Sequence, residues 1–299
     1  MFDPAMLKMF PQFFINGLMV GAIYSLIGVG IVVVFKSTKV FNFAVGEMIM
    51  LGGYLTCTFI DLKISPLAII LLTFSAAILF GLIIERVALR PLIGQPIMAA
   101  IMATLAVSFL LRGIALLAWG GIAKEFPQFL PGRNFRAWGI LWSKELLWSF
   151  GITLCLFGLF WIFYKFTRFG LDMRATAEDH TLAQTRGTSV KRIFALTWAI
   201  AGITAVVGGV VLSLKLTLDL SLADVGLKSF AAVMFGGLES IGGVLIGGLI
   251  VGILENLIGG LIDPSLKEIS PYIILLLVLV FRPEGLFGLK RIIGTETNF

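Results

Sequence analysis

Four ionisable residues, Glu47, Arg112, Glu239 and Glu255, stand inside otherwise apolar stretches, where a charge is costly and therefore informative. Glu47 is the hardest of them to explain as an incidental polar group, because its segment also carries Asn42, Gly46, Gly52 and Gly53. A carboxylate there points to a polar contact between helices or to a water-filled path rather than to lipid. On an ideal helix Asn42 and Glu47 lie about 140° apart, whereas Glu47, Leu51 and Tyr54 share a face. Asn42, Glu47 and Tyr54 are therefore the candidates for lining a path, and Asn42 can join Glu47 only if the helix is broken or the cavity is wide. Plainer readings exist for the other three. Arg112 can snorkel to the outer surface, Glu239 can sit in a cytoplasmic turn, and Glu255 can approach the outer end of its helix.

The chemistry of enzymes is missing. No G-x-x-x-x-G-K-[ST] loop occurs, so ATP cannot be held by that device, and any ATP must be hydrolysed on another subunit. H-E-x-x-H, G-x-S-x-G and paired-cysteine metal motifs are absent as well, and the single histidine, His180, lies in a polar loop. No catalytic residue, metal or cofactor is expected on this chain. Cys57 and Cys155 lack redox or ligand spacing and read as packing residues.

The segments that carry these residues belong in a bilayer. Hydrophobic residues make up 59% of the 299 and charged residues 13%, against about 25% charged in soluble domains, and the mean hydropathy is +1.03. The fold class is all-α and polytopic, with about eight to ten transmembrane helices at roughly 20 residues each. The apolar segments run Gln12–Phe35, Phe41–Ile60, Pro66–Ile84, Met98–Trp119, Leu146–Tyr164, Ile193–Leu214, Val225–Leu238, Ile241–Ile262 and Pro271–Leu286. Val225–Leu238 is short for a crossing, which leaves a broken or re-entrant helix open. The net charge of +6 comes from Lys and Arg in short loops, a membrane-topology signal and not a nucleic-acid surface. Basic loops at 36–39, 86–90, 168–192 and 282–291 alternate as cytoplasmic ends should, giving nine crossings with the N-terminus outside and the C-terminus inside.

Glycine spacing supplies the helix contacts. Gly17 and Gly21, and Gly243, Gly247, Gly248 and Gly252, recur at or near every fourth residue, which places small residues on one face and lets a neighbouring helix approach closely. One polar segment, Arg168–Arg192, is long enough for a docking helix. Its centre, Ala175–Arg186, has helix-forming residues, bracketed by Gly170 and Gly187 as ends. A solvated connection is the plainer alternative.

The blocks NGLMVGAIYSLIGVGIVVVF and FNFAVGEMIMLGGYL, then RATAEDHTLAQTRGTSVKR, FAAVMFGGLESIGGVLIGGLIVGILEN and LLLVLVFRPEGLFG, resemble LivH-type permeases, the membrane subunits of branched-chain amino-acid ABC importers. The resemblance covers nearly the whole chain, as one permease domain. It implies one half of a translocation path in the bacterial cytoplasmic (inner) membrane, surrounded by lipid, a LivM-like second permease, two ATPase subunits that use ATP and Mg, and an extracytoplasmic substrate-binding protein. It also implies that the loop around Ala177, Glu178, Asp179, Ala183 and Gly187 is the segment that couples to the ATPases. Val45 departs from the commonest signature, giving NFAVGE where many relatives have NFAHGE. Urea, short amides and aromatic acids are also cargo in the family, and a secondary transporter or channel acting alone is the alternative from a different class.

Overall fold

Lipid offers no partner for backbone N–H and C=O groups, so the apolar stretches close their own hydrogen bonds as helices. The computed structural model describes residues 9–127, 134–137, 140–178 and 189–288. Its helices, in order, are α1 (Phe10–Thr38), α2 (Val45–Asp61), α3 (Pro66–Ile83), α4 (Ile97–Trp119), α5 (Lys144–Phe166), α6 (Arg168–Glu178), α7 (Val190–Ser213), α8 (Asp224–Gly236), α9 (Ile241–Leu261) and α10 (Pro264–Phe281). A small antiparallel hairpin, β1 (Phe135–Ala137) with β2 (Ile140–Trp142), precedes α5. Among the described residues seven helices are long and apolar enough to cross a membrane. With 17 residues α2 falls short of the roughly 20 that a span needs, and α8, with 13, falls further short.

Every expected apolar segment contains a helix, and the limits of two of them need correction. The second begins at Val45 and not at Phe41: the Asn42 side chain accepts a hydrogen bond from the Ala44 N–H at 3.1 Å, an alternative to helical pairing that holds residues 39–44 out of the helix. The last begins at Pro264, seven residues before the expected Pro271. Asp263 accepts from the Ser265 N–H to cap it, and Pro at the first helical position costs nothing. Pro271 is then accommodated inside α10, where it cannot pair with the carbonyl of Lys267; the Ser270 hydroxyl donates to that oxygen instead, at 3.2 Å. Gly170 was expected to bracket the polar helix but lies within α6. It abuts the Tyr164 carbonyl at the end of α5, and Arg174 donates to the same oxygen, so the glycine permits close docking of α6.

The helix α1 is the centre of the bundle. Of its most apolar stretch 83% is buried, against 17% for α5 and α10, which present Leu159, Ile162, Leu276 and Val280 outward, as expected where the surrounding solvent is hydrocarbon. Helix α9 uses two small faces. Gly248 and Gly252 meet Gly17 and Gly21 of α1, and Gly243 and Gly247 meet Ala232 and Gly236 of α8. A Cβ on Gly17 would lie 2.6 Å from the Ile253 Cα, so these contacts are backbone on backbone. Cys57 is buried, whereas Cys155 is exposed on α5, correcting its reading as a packing residue.

Candidate functional site

The two short helices meet end to end. The first turn of α2 packs its Gly46 against Gly226 and the Ala223 carbonyl at the start of α8, so two helix N-termini converge inside the bundle. Beside them lies an open cavity of about 140 Å³. Its other wall is α4, whose Leu105, Ser108 and Arg112 fall in the middle stretch of that 23-residue helix, far from either end. The extended stretch before α2 is tied to α4 by the Thr104 hydroxyl, which donates to the Phe41 carbonyl at 3.1 Å. Phe43 and Phe230 stack at 5.8 Å across the cavity's apolar side.

Charge is concentrated on the other side. Glu47, 6% exposed, faces Arg112 with Oε1 3.3 Å from Nη2, and Asp224, more than half exposed, stands 4.0 Å from the same nitrogen. Arg112 therefore does not snorkel away: an acidic pair holds it at mid-helix. Asn42 and Glu47 line the same cavity, because Asn42 lies outside the helix, which begins at Val45. Tyr54 does not join them. Seven residues farther along α2, about 10 Å by helical rise, it is buried against Trp119, ring centroids 5.2 Å apart.

Behind α8 lies a second polar cluster. Lys228 Nζ donates to Glu255 Oε1 at 3.1 Å and to Glu268 Oε2 at 2.6 Å, and the Tyr24 hydroxyl donates to Glu255 Oε2 at 2.7 Å. Lys228 and Glu255 are 6% and 1% exposed. Glu255 is thus a buried partner inside the bundle and not an outer-surface residue. Sequence reasoning missed Lys228, Tyr24 and Glu268, although a lysine inside an apolar segment was the available signal. Glu239 lies in the turn between α8 and α9 and pairs with Lys39 at 3.1 Å. Of the expected coupling residues, Ala177 and Glu178 end α6, and Asp179, Ala183 and Gly187 lie outside the described residues.

Over residues 13–279 the sequence matches the family described as branched-chain amino acid transport system / permease component. The chain belongs to that family. It is 33% identical over 294 residues to the high-affinity branched-chain amino acid transport system permease protein BraD of Pseudomonas aeruginosa, covering 93% of this chain and 95% of the relative. It is 30% identical over 297 residues to the permease protein LivH of Escherichia coli, covering 93% and 96%. Among solved structures, PsaBC from Streptococcus pneumoniae in complex with Fab aligns over 92% of each chain with a TM-score of 0.51 at 15% identity, a likeness of fold alone. This member of the family is a multi-pass helical membrane protein, and its relatives are transport permease subunits, not enzymes.

Proposed function

We propose that this chain forms half of the path for branched-chain amino acids in an ATP-driven importer of the cytoplasmic membrane. The observation that carries the reading is the open cavity beside the middle of α4, walled by the two short helices and the Glu47, Arg112 and Asp224 charges. Discontinuous helices whose ends meet beside a polar cavity are how transport proteins expose polar backbone and charge to a solute within lipid. Buried charge on a membrane segment is retained where it serves a solute path. Charged walls suit a zwitterion better than a neutral amide, which favours amino acids over urea.

The partners are a LivM-like second permease, two ATPase subunits that use ATP and Mg, and an extracytoplasmic binding protein. Residues 168–192 couple to the ATPases. Coupling requires that ATPase contacts differ in energy between the inward and outward states, and α6 offers a helix for such a contact. Purification of the tagged chain under mild conditions is expected to bring down ATPase subunits. Phosphate release is expected from the assembled complex and not from the chain alone. Substantial ATP turnover by the isolated chain, or its recovery without any ATPase partner, counts against the reading.

A further inference from the structure

Among the described residues two arginines pair with carboxylates, and the pairings differ greatly in quality. Arg90 grips Glu85 with both arms of its fork, Nε to Oε1 at 3.0 Å and Nη2 to Oε2 at 2.9 Å, the geometry of a completed bidentate pair. Arg112 has only one contact, at 3.3 Å, with Glu47 and a looser one, at 4.0 Å, with Asp224. Its Nε is buried without any hydrogen-bond partner. A guanidinium on a membrane helix, its side chain 41% exposed but its Nε buried and its fork unfilled, is expensive, so the donors of Arg112 are open to a planar acceptor that the described residues do not provide.

We propose that Arg112 and Asp224 hold the two ends of a zwitterionic α-amino acid in this cavity, Arg112 receiving the carboxylate and Asp224 the ammonium. Glu47 keeps Arg112 in place between substrates. The assignment rests on the reading of the cavity as part of an amino-acid path. Three charged side chains line the cavity, one positive and two negative, so its sum is one negative charge. A zwitterion adds no net charge, fills the arginine fork with its anionic end and offsets Asp224 with its cationic end. Neither an amine nor a carboxylic acid alone can do both. Leu105, Leu227 and Phe230 give the cavity an apolar side that suits an aliphatic side chain. A site whose polar groups are left unpaired by an analogue rejects that analogue strongly, and here the charges would do the rejecting.

Ser108 lines the same cavity. Labelling of Ser108→Cys by a charged, water-soluble thiol reagent, in the full chain in lipid nanodiscs, therefore reports occupancy, and wild type gives the background from Cys57 and Cys155. Millimolar leucine is expected to slow labelling about tenfold relative to isocaproate, which lacks the ammonium, and to isoamylamine, which lacks the carboxylate. Adding Asp224→Asn, or the paired Glu47→Gln/Arg112→Gln that leaves no buried carboxylate unpartnered, should abolish that preference. Equal protection by leucine and either analogue, or leucine protection that survives both changes, overturns the assignment. Where Ser108→Cys resists labelling in every background, leucine uptake by the complete transporter decides. Wild-type uptake in the paired variant overturns the assignment and leaves the proposed function standing, whereas no branched-chain uptake by the unaltered transporter means that the function itself is wrong.

Discussion

Replacing Lys228 with methionine is expected to lower the unfolding temperature of the detergent-solubilised chain by on the order of 10 °C. Lys228 is the partner of both Glu255 and Glu268, and Glu255 is 1% exposed. Removing one member of a buried pair strands the other charge, at a cost of about 3–5 kcal/mol. The loss should be repairable. In Lys228→Met/Glu255→Gln no buried carboxylate is stranded, since Glu268 is 72% exposed, the Tyr24 hydroxyl keeps an acceptor, and most of the lost temperature should return. A double variant that unfolds as early as the single one would show that Lys228 acts through packing and not through charge. The cluster also tethers α8 from behind to α1, α9 and α10, while the opposite face of α8 lines the Arg112 cavity. Its loss should therefore disturb the cavity as well.

The second large effect is expected at the glycine seam. A side chain on Gly252 would collide with the backbone of Gly21, so Gly252→Val must push α9 away from α1, the helix with which it packs most extensively. Backbone cannot yield as a flexible side chain can, and a cost of at least about 3 kcal/mol is expected, seen as loss of a folded, monodisperse peak in size-exclusion chromatography. Gly158→Ala is the control. That glycine lies within α5, and beyond its neighbours and its own helix backbone nothing stands within 4 Å of the added carbon, so alanine there should gain about 0.5–1 kcal/mol from helix propensity. Normal folding of Gly252→Val, or equal damage from both variants, would contradict the account of α9 as a helix packed backbone to backbone.

Much of this architecture is legible in the sequence because hydrocarbon imposes a simple rule: long apolar segments become helices, and glycines four apart mark close approach. The limits of the shorter helices were harder to read. Phe41–Val45 is as apolar as a helix start should be, and nothing in composition reveals that Asn42 turns back on Ala44. The apolar run begins at Pro271, yet the helix begins seven residues earlier, where Asp263 precedes Pro264 and caps it. Contacts were less legible still. Glu47 was singled out for its cost in lipid, but its partner Arg112 lies 65 residues away, and a single sequence carries no record of such a pairing. Tyr54 followed Glu47 on an ideal helix face, but that face turns toward Trp119 farther along α2.

The most direct measurement is uptake of radiolabelled leucine into proteoliposomes holding this chain, its partner permease and ATPase subunits, with the binding protein supplied outside. Uptake is expected to require ATP. A fall of about tenfold is expected in Glu47→Gln, which inserts normally but releases Arg112 from its buried carboxylate. Leucine uptake in Glu47→Gln equal to wild type would reduce the Glu47–Arg112 pair to a structural contact, and an assembled complex that moves no leucine under ATP would contradict the account as a whole.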